Sequence, residues 1–127
     1  MNALIKILIA EDDKFLRNVL RAKLVGEGFD VIAAADGEEA LETLEKEHPD
    51  IVLLDIIMPK KNGFDVLEAL RLKGGTMVPI VILSNLGQEE DVRRGLALGA
   101  VDFLVKSDHS LKDVVDKVKL YAATSRS

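Results

Sequence analysis

Five short runs rich in Ile, Val, Leu and Ala alternate with five longer segments of helical periodicity, and no other feature restricts the fold of this chain as much. The runs are residues 5–10, 30–34, 51–57, 79–84 and 100–105. Between and after them apolar residues recur three and four apart: Phe15, Leu16, Val19, Leu20 and Leu24; Ala40, Leu41 and Leu44; the stretch 64–72; 89–98; and Leu111, Val114, Val115, Val118 and Tyr121. Strict alternation of strand and helix predicts an α/β fold, a doubly wound parallel sheet with helices on both faces and right-handed crossovers. The run Ile51-Val52-Leu53-Leu54 is apolar without a break, as a strand buried on both faces must be. Pro59 cannot donate to a ladder, so that strand ends before it. Asp55 therefore falls at the carboxyl end of a central strand, the edge at which open α/β sheets bind ligands.

Boundary residues support the alternation. Asp13 is placed to cap the first helix, and Gly26 with Gly28 to stop it. Asp36 with Glu39 resembles a capping box, and His48-Pro49-Asp50 is a turn into the central strand. Lys60-Lys61-Asn62-Gly63 reads as a loop and Gly74-Gly75 as a flexible link. The helix from Glu89 starts on acids, as the macrodipole favours, and ends at Gly99. Gly95 inside it costs roughly 1 kcal/mol against alanine, which predicts a mobile element. Ser110 caps the last helix, and 122–127 reads as a frayed tail.

A length of 127 residues fits one domain, 1–127, with its core about 5–121. Cysteine is absent, so disulfides and thiolate metal sites are excluded and a reducing, cytoplasmic setting is expected. The first residues lack a signal-peptide layout, and no apolar run approaches the ~18 residues of a membrane span. A net charge of −5 without a basic block argues against direct nucleic-acid binding by this chain.

The chemistry gathers at the strand ends. The first strand ends in Glu11-Asp12, the third in Asp55, the fourth in Ser84 and the fifth in Lys106, all on the carboxyl edge of a parallel sheet. Three carboxylates meeting there repel one another, and their natural counterion is a hard, oxygen-ligated divalent cation such as Mg²⁺. A carboxylate nucleophile with a cation, an ammonium and a hydroxyl nearby has what an aspartyl-phosphate site needs. His48 and His109 lie in polar loops and read as neither catalytic nor phosphodonor residues.

The ordered set of Glu11-Asp12, Asp55-Ile56-Ile57-Met58-Pro59, Asn62-Gly63, Ser84, Gly99-Ala100, Phe103 and Lys106 resembles the receiver domains of two-component response regulators, similar to the single-domain chemotaxis regulator. The resemblance covers Ile5 to Tyr121. It implies a flavodoxin-like sheet in strand order 2-1-3-4-5 and a signalling switch more than a turnover enzyme. By that resemblance Asp55 accepts a phosphoryl group from a histidine kinase or histidine phosphotransfer protein. Asp12, Asp55 and the Ile57 backbone carbonyl hold Mg²⁺, with Mn²⁺ as a possible substitute, and Glu11 helps through water. Lys106 pairs with Asp55 or the phosphoryl group, and Ser84 hydrogen-bonds that group. Phe103 is the aromatic that changes rotamer when Ser84 moves. The implied partner downstream is an output protein or an output domain outside this chain, and the implied state a monomer or a weak, phosphorylation-dependent dimer. The output surface is expected on the helix after Ser84, the strand carrying Phe103 and the last helix.

Three positions depart from the usual pattern. Ser107, not proline, follows Lys106, so a trans peptide is expected there. Asn85 stands where a small residue is common. Ile57 offers no polar group to orient an attacking water, which predicts slow phosphoryl loss. Rival readings fit less well. A phosphohydrolase resembling haloacid dehalogenases wants a second Asp at the position of Ile57. A flavin binder needs a phosphate-cradling loop where Glu11-Asp12-Asp13 would repel phosphate. A transcription factor would need a DNA-binding domain that 127 residues leave no room for, unless the chain is part of a longer protein.

Overall fold

The computed structural model describes residues 4–75 and 78–125. Five parallel strands, β1 (Lys6–Ala10), β2 (Asp30–Ala34), β3 (Ile51–Leu54), β4 (Ile80–Ser84) and β5 (Asp102–Val105), form one sheet in the order β2-β1-β3-β4-β5. Helices α1 (Lys14–Gly26), α2 (Gly37–Glu47), α3 (Gly63–Leu72), α4 (Glu89–Ala97) and α5 (Leu111–Ser125) alternate with them, and a single 3₁₀ turn, Lys106–Asp108, follows β5. This is the doubly wound, flavodoxin-like fold, in the expected order.

Side chains of successive strand residues point to opposite faces, so each strand feeds two cores. Leu8, Val52, Leu54, Ile80, Ile82 and Phe103 pack on the face covered by residues of α2, α3 and α4. Ile7, Ile9, Leu53, Val81, Leu83 and Leu104 pack on the other, with Leu20 and Leu24 of α1 and Val114, Val115 and Val118 of α5. All four residues of β3 are buried. Each is worth about 1.5–3 kcal/mol relative to exposure.

The helix ends follow local chemistry. The Asp13 carboxylate accepts from Leu16 N at 3.1 Å and Asp36 from Glu39 N at 2.8 Å. The Glu39 carboxylate reaches one residue beyond the cap, accepting from Ala35 N at 2.8 Å. Ser110 and Asp113 close a reciprocal box on α5. At the end of α4, Gly99 N donates to Leu96 O and Ala100 N to Gly95 O, with Gly99 at φ 113°. This double bond pattern is a Schellman ending. It draws Ala100 into the helix terminus, which is why β5 begins at Asp102 and not at Ala100.

As expected, α1 stops at Gly26 and the chain turns at Gly28. Three other expectations change. Gly74 and Gly75 close α3, donating to Arg71 O and Leu70 O, so they form a helix ending and not a link. Ala122 is helical and buried against α1 and the sheet, because it continues the Val115–Val118 stripe by four residues; residues 126 and 127 lie outside the described part. Gly95 has a packing reason: a Cβ there would lie 2.6 Å from Ile82 Cδ1 and 3.1 Å from the Phe103 ring. Arg94, beside it, stacks over the Phe64 ring of α3 at 4.2 Å. No peptide among the described residues is cis, so Lys106–Ser107 is trans as expected.

Candidate functional site

Register brings the acids together. Ala10 pairs with Leu54, so the next residues, Glu11 and Asp55, emerge side by side at the carboxyl edge. Both remain tied to the ladder: Glu11 N donates to Ala34 O at 3.0 Å and Asp55 N to Ala10 O at 2.9 Å. Asp12 lies on the loop before α1. Carboxylate oxygens of Glu11, Asp12 and Asp55 all fall within 4.8 Å of one another. Glu11 and Asp55 are buried and Asp12 is exposed.

Lys106 follows β5, two strands away from β3, and its side chain reaches across the end of β4. Its Nζ donates to Glu11 Oε1 at 2.6 Å and to Asp55 Oδ2 at 2.9 Å. Burial disfavours this ammonium, but the two hydrogen bonds outweigh it and hold Lys106 above its usual range. Glu11 is also raised, but here burial acts in the upward direction. Burial first, then the neighbouring Asp55, push its carboxyl from 4.5 up to about 7, although Lys106 pulls it down. Three carboxylates thus face one ammonium.

The cleft between these groups has a volume of about 270 Å³, and Ile57 and Asn85 also line it. Ile57 is 55 % exposed, whereas its neighbours Ile56 and Met58 are buried. Ser84 has no exposed surface, and its Oγ accepts from Leu86 N at 3.4 Å. Asn85, not Ser84, therefore presents a side chain to the cleft in this conformation. Phe103 lies on the α4 side of the sheet, against Gly95.

The donors are all carboxyl oxygens, which suits a hard divalent cation and not a soft one. Glu11, Asp12 and Asp55 are the residues that could hold it. Lys106 already bonds two of them, so a cation would enter from the exposed Asp12 side.

Arg17 and Gly37 do not stand out in the sequence, and Gly63 does so only within the Asn62-Gly63 pair. Arg17 Nη1 donates to the backbone oxygens of Glu11 at 2.8 Å and Asp12 at 3.4 Å. A Cβ on Gly63 would lie 2.4 Å from Asp55 O, and one on Gly37 would lie 2.0 Å from Lys61 O. These glycines let α3 and α2 close on the loop that carries Ile57. Only the bareness of each position hints at this in sequence; the contacting partners are distant.

A family model described as the response regulator receiver domain matches residues 7–119. The chain belongs to the response regulator receiver domain family. The receiver is 48 % identical over 101 residues to the transcriptional regulatory protein CpxR of Escherichia coli K12, covering 80 % of this chain and 42 % of that protein. It is 46 % identical over 101 residues to the probable transcriptional regulator ycf27 of Porphyridium aerugineum, covering 80 % and 41 %. The chain thus spans about two fifths of the curated relatives it matches. Among solved structures, the receiver domain of Francisella response regulator 1452 superposes with a TM-score of 0.88 at 31 % identity, covering 94 % of this chain and 98 % of that one. The CheY-like receiver domain from Methanospirillum hungatei JF-1 gives 0.88 at 26 % identity, covering 98 % of both. Receiver domains of this family belong to two-component systems, where they act as signalling switches. No helix among the described residues is long and apolar enough to cross a membrane.

Proposed function

We propose that this receiver accepts a phosphoryl group on Asp55 from a phosphohistidine of a partner kinase or phosphotransfer protein, and that the resulting charge switches a protein-binding surface. The convergence of Glu11, Asp12, Asp55 and Lys106 at one strand edge carries this reading. An Asp55 oxygen attacks phosphorus, the P–N bond breaks, and the imidazole leaves with the electron pair and takes up a proton. Lys106 is within reach of the new phosphoryl oxygens, and its raised pKa keeps it cationic throughout. Mg²⁺, held by Asp12, Asp55 and the Ile57 carbonyl with Glu11 assisting, would supply the remaining neutralisation of the phosphoryl charge. Ser84 would donate to that group after rotating out of its bond with Leu86 N, and Phe103 would follow it inward. The responding surface is then α4, β5 and α5.

The exposed Ile57 offers no carboxylate beside Asp55, which disfavours a turnover phosphohydrolase and favours slow loss of the phosphoryl group. The names of the relatives favour transcriptional control through an output domain outside this chain, in the cytoplasm. Incubation with Mg²⁺ and a small acyl phosphate should add one phosphoryl mass to the intact chain. Asp55→Asn should add none; a gain that persists in that variant would remove Asp55 as the acceptor.

A further inference from the structure

Arg17 stands where helix electrostatics do not favour a cation. Helices α2, α3, α4 and α5 each carry acid in the first turn, whereas α1 carries none and opens on Lys14. Positive charge near a helix N-terminus opposes the macrodipole. The Arg17 side chain turns back over that terminus, is half-buried, and gives its Nη1 to the backbone oxygens of Glu11 and Asp12. These are the two residues whose carboxylates converge with Asp55. Within the same turn, Asp13 N donates to Glu11 Oε2 at 3.2 Å.

We propose that Arg17 is a positioning residue of the acidic cleft: its guanidinium fixes the Glu11-Asp12 turn so that both carboxylates face Asp55, and divalent-cation affinity depends on it although it forms no ion pair with them. The proposal rests on the reading of the cleft as a cation site. It has a sign that separates it from the simpler alternatives. As a charge alone, Arg17 repels an incoming cation, and its removal should tighten binding. As a helix residue alone, its loss should lower the melting temperature and leave affinity below that temperature unchanged. As a brace, its loss lets the turn relax and weakens binding.

The test is a Mg²⁺ titration of the full chain followed by amide chemical shifts, in wild type, Arg17→Ala, Arg17→Lys and Asp12→Asn. Arg17→Ala should weaken binding about tenfold, the usual scale when a group that orients a metal ligand is lost. Arg17→Lys, which keeps the charge without the guanidinium, should weaken it by less. In the metal-free protein the Asp13 amide should exchange faster in Arg17→Ala than in wild type. Equal or tighter binding by Arg17→Ala overturns the brace, and if that variant does not fold, Arg17→Lys is judged by the same criterion. If wild type binds and Asp12→Asn does not, a wild-type affinity in the Arg17 variants sinks the brace alone. If wild type gives no Mg²⁺-dependent shifts, the cation site and the brace fall together.

Discussion

The two edges of the sheet use the same residue types to opposite ends. At the amino edge, Lys6 N donates to Asp50 Oδ2 at 2.8 Å and Lys6 Nζ pairs with Glu47 at 3.4 Å, with side chains 29 % and 48 % exposed. At the carboxyl edge, Lys106 pairs with Glu11 and Asp55 at 2.6 and 2.9 Å, with side chains 17 %, 3 % and 6 % exposed. Water screens the first group, so breaking it costs little. The second is shielded, carries more acid than base, and holds Glu11 partly protonated near neutral pH. Folding tolerates that arrangement because the rest of the sheet is paired and apolar. The difference makes the carboxyl edge the electrostatically strained one, and it is the edge that the proposed site occupies.

Four measurements can break or sharpen that contrast. The largest effect is expected for Lys106→Ala. It leaves two buried carboxylates without their ammonium, and urea unfolding in chelator at pH 7 should show a loss of about 2–3 kcal/mol, below the usual cost of a broken buried pair because Glu11 can take up a proton. A loss no greater than that of an exposed pair would erase the contrast.

Next is pH. The folded-state pKa of Glu11 lies above its unfolded value, so the folded form binds the proton more tightly. Its stabilising contribution is present below about pH 4.5 and is lost as pH rises through about 7. In metal-free protein the difference in stability between wild type and Glu11→Gln should therefore change across that interval by on the order of 2 kcal/mol. A parallel pair of stability curves would show that Glu11 is not held out of its ordinary range.

A smaller change is expected for Asp12→Ala. Asp12 is exposed, so relief of its repulsion should raise metal-free stability by only about 0.5 kcal/mol. The same variant should lose the stabilisation that millimolar Mg²⁺ gives wild type, read from melting temperatures with and without the ion. The smallest effect belongs to Lys6→Ala at the amino edge, within about 0.5 kcal/mol of wild type and reduced further by salt. If Lys6→Ala were as costly as Lys106→Ala, exposure would not be what separates the two edges.

Much of the fold was legible because each level of the sequence agreed with the next. Continuous runs such as Ile51–Leu54 admit only a doubly buried strand, and Asp13, Asp36 and Ser110 announce helix starts by chemistry that acts within three residues. The misses lie where a partner decides. Ala100 and Val101 are apolar enough for a strand, yet the Schellman ending of α4 claims Ala100 and leaves Val101 exposed. Ala122 is small and followed by Ala, Thr and Ser, so its continuation of the α5 stripe is faint until α1 is seen beside it. In the site, carboxylates and Lys106 stand out because strand ends are easy to find and charge is costly there. Arg17 and Gly37 do not, since their roles depend on backbone oxygens that no side-chain pattern records. Gly95 suggested looseness in sequence, and its packing against Ile82 and Phe103 shows a tight fit instead.

That fit has a mechanical consequence. Most helices seat on a sheet by pushing their own side chains into it, so shifting them leaves holes behind. At Gly95 the relation is reversed: α4 supplies a slot, and Ile82 and the Phe103 ring supply the key that fills it. The seat of the helix is thus set from the sheet side, by the rotamers of two residues it does not own. Shortening Ile82 or Phe103 would therefore loosen the seat of α4 without changing a residue of the helix itself.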